Sequence, residues 1–281
     1  MPLSLREAIE GRLRAEPGTV SVAFLDLQTG GSAFREPDRR FHAASTMKVP
    51  VLIQLARDVD SGRTRWDDSI PVRNSFRSIV DGSPFTLDPA DDSDSSLYAL
   101  EGRPVTQQRL AELMIERSSN LATNILIDRL DAARVNATAH ALGADSIQVR
   151  RGVEDGKAYE KGLNNTTTAR DLAVLLAAIA TDRAASPGAS REILRMLLAQ
   201  EFNEGIPAGL PAGTPVAHKT GSITALLHDA AIVYPPGRAP YVLVVLTRGY
   251  PREADAARVI ADLSRIVYDR VMAPREGASA E

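Results

Sequence analysis

Apolar positions early in the chain follow a helical period. Leu5, Ile9 and Leu13 fall at successive i, i+4 steps with charges opposite, which predicts an amphipathic helix over 3–15 that Pro17-Gly18 ends. From Thr19 to Leu27 the residues are β-formers and apolar, among them Val20, Val22, Phe24 and Leu25. Gln28-Thr29-Gly30-Gly31 reads as a turn, and 32–35 as the returning strand of a hairpin. Residues 45 to about 59 are apolar on most faces, the mark of a buried helix, with Pro50 near its start where a missing N–H costs little.

Further helices are predicted at 106–116, 121–130, 132–142 and 191–200, with 154–165 irregular. Thr166-Thr167-Thr168 opens another through Ala180, with Thr166 or Thr167 as its N-cap. After Pro207 strands return at 215–219, 229–234 and 241–246, followed by a closing amphipathic helix over 254–271. Strands at both ends and helices between them predict an α+β fold. An antiparallel sheet flanked by helices would be built from 1–43 and 209–281, beside an all-α part at 44–208, with a cleft where the two meet. Residues 81–97 form an acidic Ser/Pro/Gly stretch. Its aspartates suit a solvated loop better than a Ca²⁺ site, since no full ligand loop is visible. The stretch could instead cover the cleft and narrow the substrate range, and Tyr98, close by, could wall the cleft.

Composition narrows the classes. A chain of 281 residues with 44% hydrophobic and 25% charged residues can bury a sizeable core. Its net charge of −3, with no basic run, offers nothing to draw nucleic acid or an anionic membrane. The absence of cysteine excludes disulfides and thiolate metal sites. No histidines stand at ligand spacing, so neither a metal nor a cofactor is implied. His42 and His140 read as structural or exposed. No apolar run is long enough to cross a membrane. Arg6, Glu7, Glu10 and Arg12 interrupt any secretory core at the start, so the expected location is cytoplasmic, or exported in mature form. The expected partner is a small-molecule substrate, and the expected state a monomer.

Lysine usage points to chemistry. Only Lys48, Lys157, Lys161 and Lys219 are lysines among 33 basic residues; the rest are arginine. Coding bias explains the ratio, but a desolvated lysine can lose its proton and arginine cannot. Ser45-Thr46-Met47-Lys48 sets a serine and a lysine three apart at a helix start, on one face. A desolvated amine there can activate the alcohol, although a Ser three before a Lys also arises by chance. Ser118-Ser119-Asn120 precedes a helix and would serve as ordinary capping, or as a proton relay with an amide-gripping Asn. His218-Lys219-Thr220-Gly221-Ser222 ends a predicted strand and joins a cation with hydroxyls, a cluster suited to carboxylate. Gly221 would let a substrate backbone come close.

Together and in this order, the three resemble the S-x-x-K, S-D-N and K-T-G motifs of class A β-lactamases and penicillin-binding serine hydrolases. The resemblance covers nearly the whole chain. It implies Ser45 as the acylated nucleophile, Lys48 as a sharer in proton abstraction and Ser118 as the proton relay to the leaving nitrogen. It implies Asn120, Lys219, Thr220 and Ser222 as substrate-binding groups, with the backbone N–H groups of Ser45 and Ser222 as the oxyanion hole. Glu154 lies at about the family's spacing beyond Ser118 and is the candidate base for deacylation. A surface glutamate in an acidic loop is the blander reading.

Two departures stand out. Ser119 replaces the usual Asp, and Ala158 occupies the place of the Asn that helps hold the hydrolytic water. Lys157, Asn164 or Asn165 are the candidates to replace that Asn. His228 either faces the core or supports substrate carboxylate binding. The resemblance implies hydrolysis of β-lactams. The alternatives are a D-Ala-D-Ala peptidase or esterase of the same fold, and a sensing module acylated once by a β-lactam.

Overall fold

The computed structural model describes residues 4–273. Ser4 caps helix α1 (Leu5–Leu13) through a reciprocal box with Glu7. Strands β1 (Thr19–Asp26) and β2 (Ser32–Arg35) follow as the expected hairpin. After β3 (Phe41–His42) a 3-10 turn at Ala44–Met47 leads straight into α2 (Lys48–Asp60). Three short strands come next, β4 (Ser69–Pro71), β5 (Phe76–Arg77) and β6 (Pro84–Phe85), then β7 (Pro104–Thr106). Helices α3 (Gln107–Glu116), α4 (Asn120–Leu130) and α5 (Ala132–Ala141) form the helical middle with α2.

A short α6 (Gly156–Glu160) interrupts the stretch expected to be irregular, and β8 (Thr166–Thr167) pairs with β3. Helix α7 (Ala169–Ala180) is capped by Thr168, not by Thr166 or Thr167, which are spent in that ladder. Helix α8 (Pro187–Leu198) begins earlier than its apolar stripe suggested, because Pro187 sits in its first turn behind the Ser186 cap. The chain closes with β9 (Val216–Ile223), β10 (Leu226–Val233), β11 (Tyr241–Arg248) and α9 (Glu253–Met272).

Five strands make one antiparallel sheet in the order β2-β1-β11-β10-β9, as the terminal segments predicted. Its strands read as almost continuous apolar runs because both faces are buried. Val20, Val22, Leu243, Val245 and Val233 point to α1 and α9, whereas Ala23, Val242, Val244, Leu246 and Ile232 point into the core shared with the helical middle. Helix α7 lies against β1, β10 and β11, and α8 against β9, so the helical layer is seated on the sheet. Strand β9 also packs against the 3-10 turn, which brings the third motif beside the first.

Most of the acidic stretch is exposed, as expected of a solvated loop, but its two ends are tied to the fold. β5 and β6 tie down its start, and Asp92 and Asp94 near its end turn inward onto the α3–α4 junction. Among the described residues no group of acidic, His or Cys side chains could hold a metal ion.

Candidate active site

Ser45 stands in the 3-10 turn just ahead of α2. The preceding residue, Ala44, has φ of 45°, a left-handed conformation that a side chain makes costly. His42 holds this corner, its Nδ1 accepting from the Ala44 N–H at 3.0 Å. Burial and the nearby Arg151 keep the His42 pKa below its ordinary value, which suits an acceptor ring. A histidine read from the sequence as bland therefore holds the backbone just before Ser45. Only the β3–β8 ladder and the packing of β9, both tertiary, could have revealed it.

Gly221 has a comparable reason. A Cβ there would lie 2.8 Å from the Ser45 nitrogen and 3.0 Å from that of Thr46, so only glycine lets β9 approach the turn. The Ser45 N–H is one of the orphan donors at the start of a helical turn. The adjacent Ser222 pairs in register with Leu227 at the lip of the sheet.

Two amines converge on Ser118. Lys48 Nζ donates to the Ser118 carbonyl at 2.6 Å, to its Oγ at 3.1 Å and to Asn120 Oδ1 at 3.1 Å. Lys219 Nζ reaches the same Oγ at 3.0 Å and its own strand at the Thr220 carbonyl, 3.1 Å. Both lysines are fully buried. Desolvation pushes Lys48 down to about 7, against the pull of the Asp92 and Glu154 carboxylates. Lys219 is driven well below its ordinary value by burial, and further by Lys48. Ser118 itself holds φ of 58°, so its hydroxyl is aimed between the two amines by a second left-handed residue. The Ser45 hydroxyl takes none of the hydrogen bonds of Lys48 in this arrangement.

Glu154 is the third left-handed residue at the site, with φ of 63°. Its Oε1 accepts from Asn120 Nδ2 at 2.6 Å. Burial raises its pKa, partly countered by that hydrogen bond. Asn120 thus bridges the Lys48 amine and the Glu154 carboxylate with its two amide ends. Glu154 and Ser45 line one cavity of about 740 Å³, together with Arg151, Asn165 and Tyr159. Ser45 also opens onto a second cavity of about 260 Å³ lined by Ser118, Thr220 and Ser222. The charged residues lining that second cavity are Asp91, Glu204, Asp229 and Glu253, while Lys219 lies buried behind it, its amine on Ser118 Oγ.

The proposed replacements for the missing Asn are engaged elsewhere. Lys157 is paired with Asp81 and Ser83 on the surface. Asn165 spends its amide on the backbone of Arg150 and Arg151, and Asn164 accepts from the Arg151 guanidinium. Ala158 is buried in α6. Among the described residues, the side chain hydrogen-bonded to the Glu154 carboxylate is Asn120.

His228 is not free to bind substrate. Its Nε2 faces the His42 carbonyl at 3.0 Å and its Nδ1 accepts from the Thr247 N–H at 3.1 Å. Burial takes its pKa down to about 4, so it is a neutral brace between β10, β11 and β3. His218 faces away from Lys219, into a buried contact with Asp229 at 3.0 Å. His140 is structural as expected, with Nε2 3.2 Å from the Ile147 carbonyl. Sequence reasoning missed Gln200, whose amide donates to Thr220 Oγ1 at 3.1 Å, and it missed Asp92.

A weakly basic buried amine, a hydroxyl between two amines and a carboxylate across the cavity suit acyl transfer to a serine followed by hydrolysis. The fold and these groups define a serine acyl-transfer architecture. The profile described as the Beta-lactamase enzyme family matches residues 4–271, and the chain belongs to that family. A β-lactamase of Amycolatopsis lactamdurans is 30% identical over 86% of this chain and 77% of its own length. Among solved structures, a variant of PBP-A in an acyl-enzyme complex with penicillin G is 29% identical, with a TM-score of 0.81 over 95% of this chain and 96% of that one. An ancestral class A β-lactamase is 28% identical, with a TM-score of 0.82 over 95% of this chain and all of that one (100%).

Proposed function

We propose that this protein hydrolyses β-lactams through a Ser45 acyl-enzyme. The observation that carries the reading is Glu154: it opens onto the cavity of Ser45 and is joined through Asn120 to Lys48. An acylating serine alone would stay blocked; a carboxylate facing the ester can activate water and release it.

In the first half-reaction neutral Lys48 takes the Ser45 proton as Oγ bonds to the lactam carbonyl carbon. The Ser45 and Ser222 N–H groups hold the developing oxyanion, each such donor lowering the barrier by about 3 kcal/mol. The C–N bond then breaks, and Ser118 gives its proton to the departing nitrogen and is reprotonated from Lys48. In the second half-reaction Glu154 takes a proton from water, the hydroxide attacks the ester, and the proton returns to Ser45 as the acid leaves. Lys219, Thr220 and Ser222 bind the substrate carboxylate, with Gln200 orienting Thr220, and Asn120 grips the side-chain amide. All these groups come from one chain, so the reading needs no second copy. It places the nucleophile where the sheet segments, 1–43 and 209–281, meet the helical segment 44–208.

The test is a time course with a chromogenic cephalosporin, followed beyond one turnover per enzyme. Sustained turnover is expected, with Ser45→Ala slower by a factor on the order of 10⁴ or more. A burst of one equivalent that stops would indicate a peptidase or sensor and remove Glu154 from the mechanism. Unchanged turnover in Ser45→Ala would overturn the acyl-enzyme altogether.

A further inference from the structure

Asp92 comes from the acidic stretch, 28 residues before Asn120. Its carboxylate takes four hydrogen bonds. Oδ1 accepts from the N–H of Asn120 at 2.8 Å and from Asp94 at 3.1 Å. Oδ2 accepts from the N–H of Leu121 at 2.9 Å and from the Tyr98 hydroxyl at 3.0 Å. The first two amides of α4 are orphan donors that no residue of the helix itself can satisfy. Ser119, standing where the family resemblance expects Asp, caps only the third, at Ala122. The work at this helix start is therefore divided between Ser119 and a carboxylate brought from a distant loop. A second tie fastens the same loop: Arg117 pairs with Asp94 at 3.5 Å, and Ser96 donates to Asp94 at 2.8 Å.

The anchored residue is the one on which the site turns. Asn120 links Lys48 to Glu154, and Ser118 beside it is held in a left-handed conformation that the surroundings must enforce. An anionic acceptor at a helix N-terminus is favoured by the aligned peptide dipoles as well as by its hydrogen bonds.

We propose that Asp92 is a positioning residue of the active site, which acts through Asn120 by clamping the first turn of α4 and thereby sets the Ser118–Lys48–Glu154 geometry. The roles of those groups rest on the function proposed above; the clamp itself does not. Asp92 also faces Lys48 as a charge. The other carboxylate acting on Lys48 is Glu154, which raises its pKa as Asp92 does, and the neighbouring amine, Lys219, shares the Ser118 hydroxyl with it. Removing the Asp92 charge therefore lets the Lys48 amine stay neutral to lower pH.

The experiment compares the full-length protein with Asp92→Ala, Asp92→Asn and Tyr98→Phe. Three quantities are read: amide exchange at Asn120 and Leu121, the single-turnover rate of acylation by benzylpenicillin followed by mass, and the acid limb of that rate. In Asp92→Ala, exchange at both amides is expected to rise by roughly tenfold or more, as for a lost cap. Acylation is expected to fall by about tenfold or more, and its acid limb to move to lower pH. Asp92→Asn keeps one acceptor, so it should show the same limb shift with a smaller loss of rate. Tyr98→Phe keeps the charge and removes only one of the four hydrogen bonds on Asp92, so exchange at Leu121 should rise less than in Asp92→Ala.

Unchanged exchange at Asn120 and Leu121 in Asp92→Ala overturns the proposal. So does an acylation loss in Asp92→Asn that follows its melting temperature while the acid limb stays in place. If the unaltered protein is not acylated at all, the function proposed above fails, and the exchange readout still decides the clamp.

Discussion

The group around Ser118 and the arm that carries Glu154 are built on different principles. Lys48 and Lys219 extend from α2 and β9, elements fixed by the core, and both amines are fully buried. Glu154 rides on a segment with one short helix, wired by side-chain amides. Asn124 brackets Val153 through its N–H at 2.6 Å and its carbonyl at 3.0 Å. Asn165 brackets Arg151, and Asp155 accepts from Ser78 and from the Ile79 N–H, both at 2.9 Å. The Lys48–Lys219 group is thus held by packing and the Glu154 arm by local polar latches. Disturbing one should leave the other largely working.

Glu154→Gln offers the largest separation. Deacylation should slow by on the order of 10² to 10⁴, while acylation by the same cephalosporin stays within a few-fold. Accumulation of acyl-enzyme in quenched mass spectra checks it, and equal loss in both steps would erase the contrast between the regions.

Gly221→Ala probes the other half. Its Cβ must displace the backbone at Ser45 or Thr46, so acylation should fall by roughly 10- to 100-fold with deacylation little changed. Pre-steady-state bursts distinguish the two steps; a selective fall in deacylation would contradict the assignment.

The smallest effect is on pH dependence. Lys48 must be neutral to accept a proton, so acylation should rise with pH through about 7. The same depressed pKa has a stability consequence. Below about 7 the folded state bears the full cost of a buried ammonium, and between about 7 and the unfolded value near 10.4 that cost disappears, so stability rises with pH. Lys48→Met should therefore be more stable than the unaltered protein at pH 7, by on the order of a few kcal/mol, and the gap should narrow toward pH 10. Thermal melts at the two pH values test this; a constant gap would mean that Lys48 is not the titrating group.

Much of this was written along the chain. The apolar periods placed the terminal strands and the helices between them, because a face that must be buried repeats at the period of its element. The scarcity of lysine marked Lys48 and Lys219, because a chain so rich in arginine has few other reasons to put an amine in its core. The spacing from Ser118 marked Glu154, and the structure sets it beside Asn120.

Contacts across long separations were decided only by the tertiary structure. The sequence offered no reason to join Asp92 to Asn120, His228 to the His42 carbonyl, or Gln200 to Thr220. Aspartates in a Ser/Pro/Gly stretch read as solvated because composition reports average exposure, whereas Asp92 is turned inward by the orphan amides of a helix that the fold brings to it. Asn165 looked available for catalysis until the backbone of Arg150 and Arg151 took both ends of its amide. Local chemistry is set by which residues are present, but a polar side chain's partner is set by what the folded chain leaves unpaired within its reach.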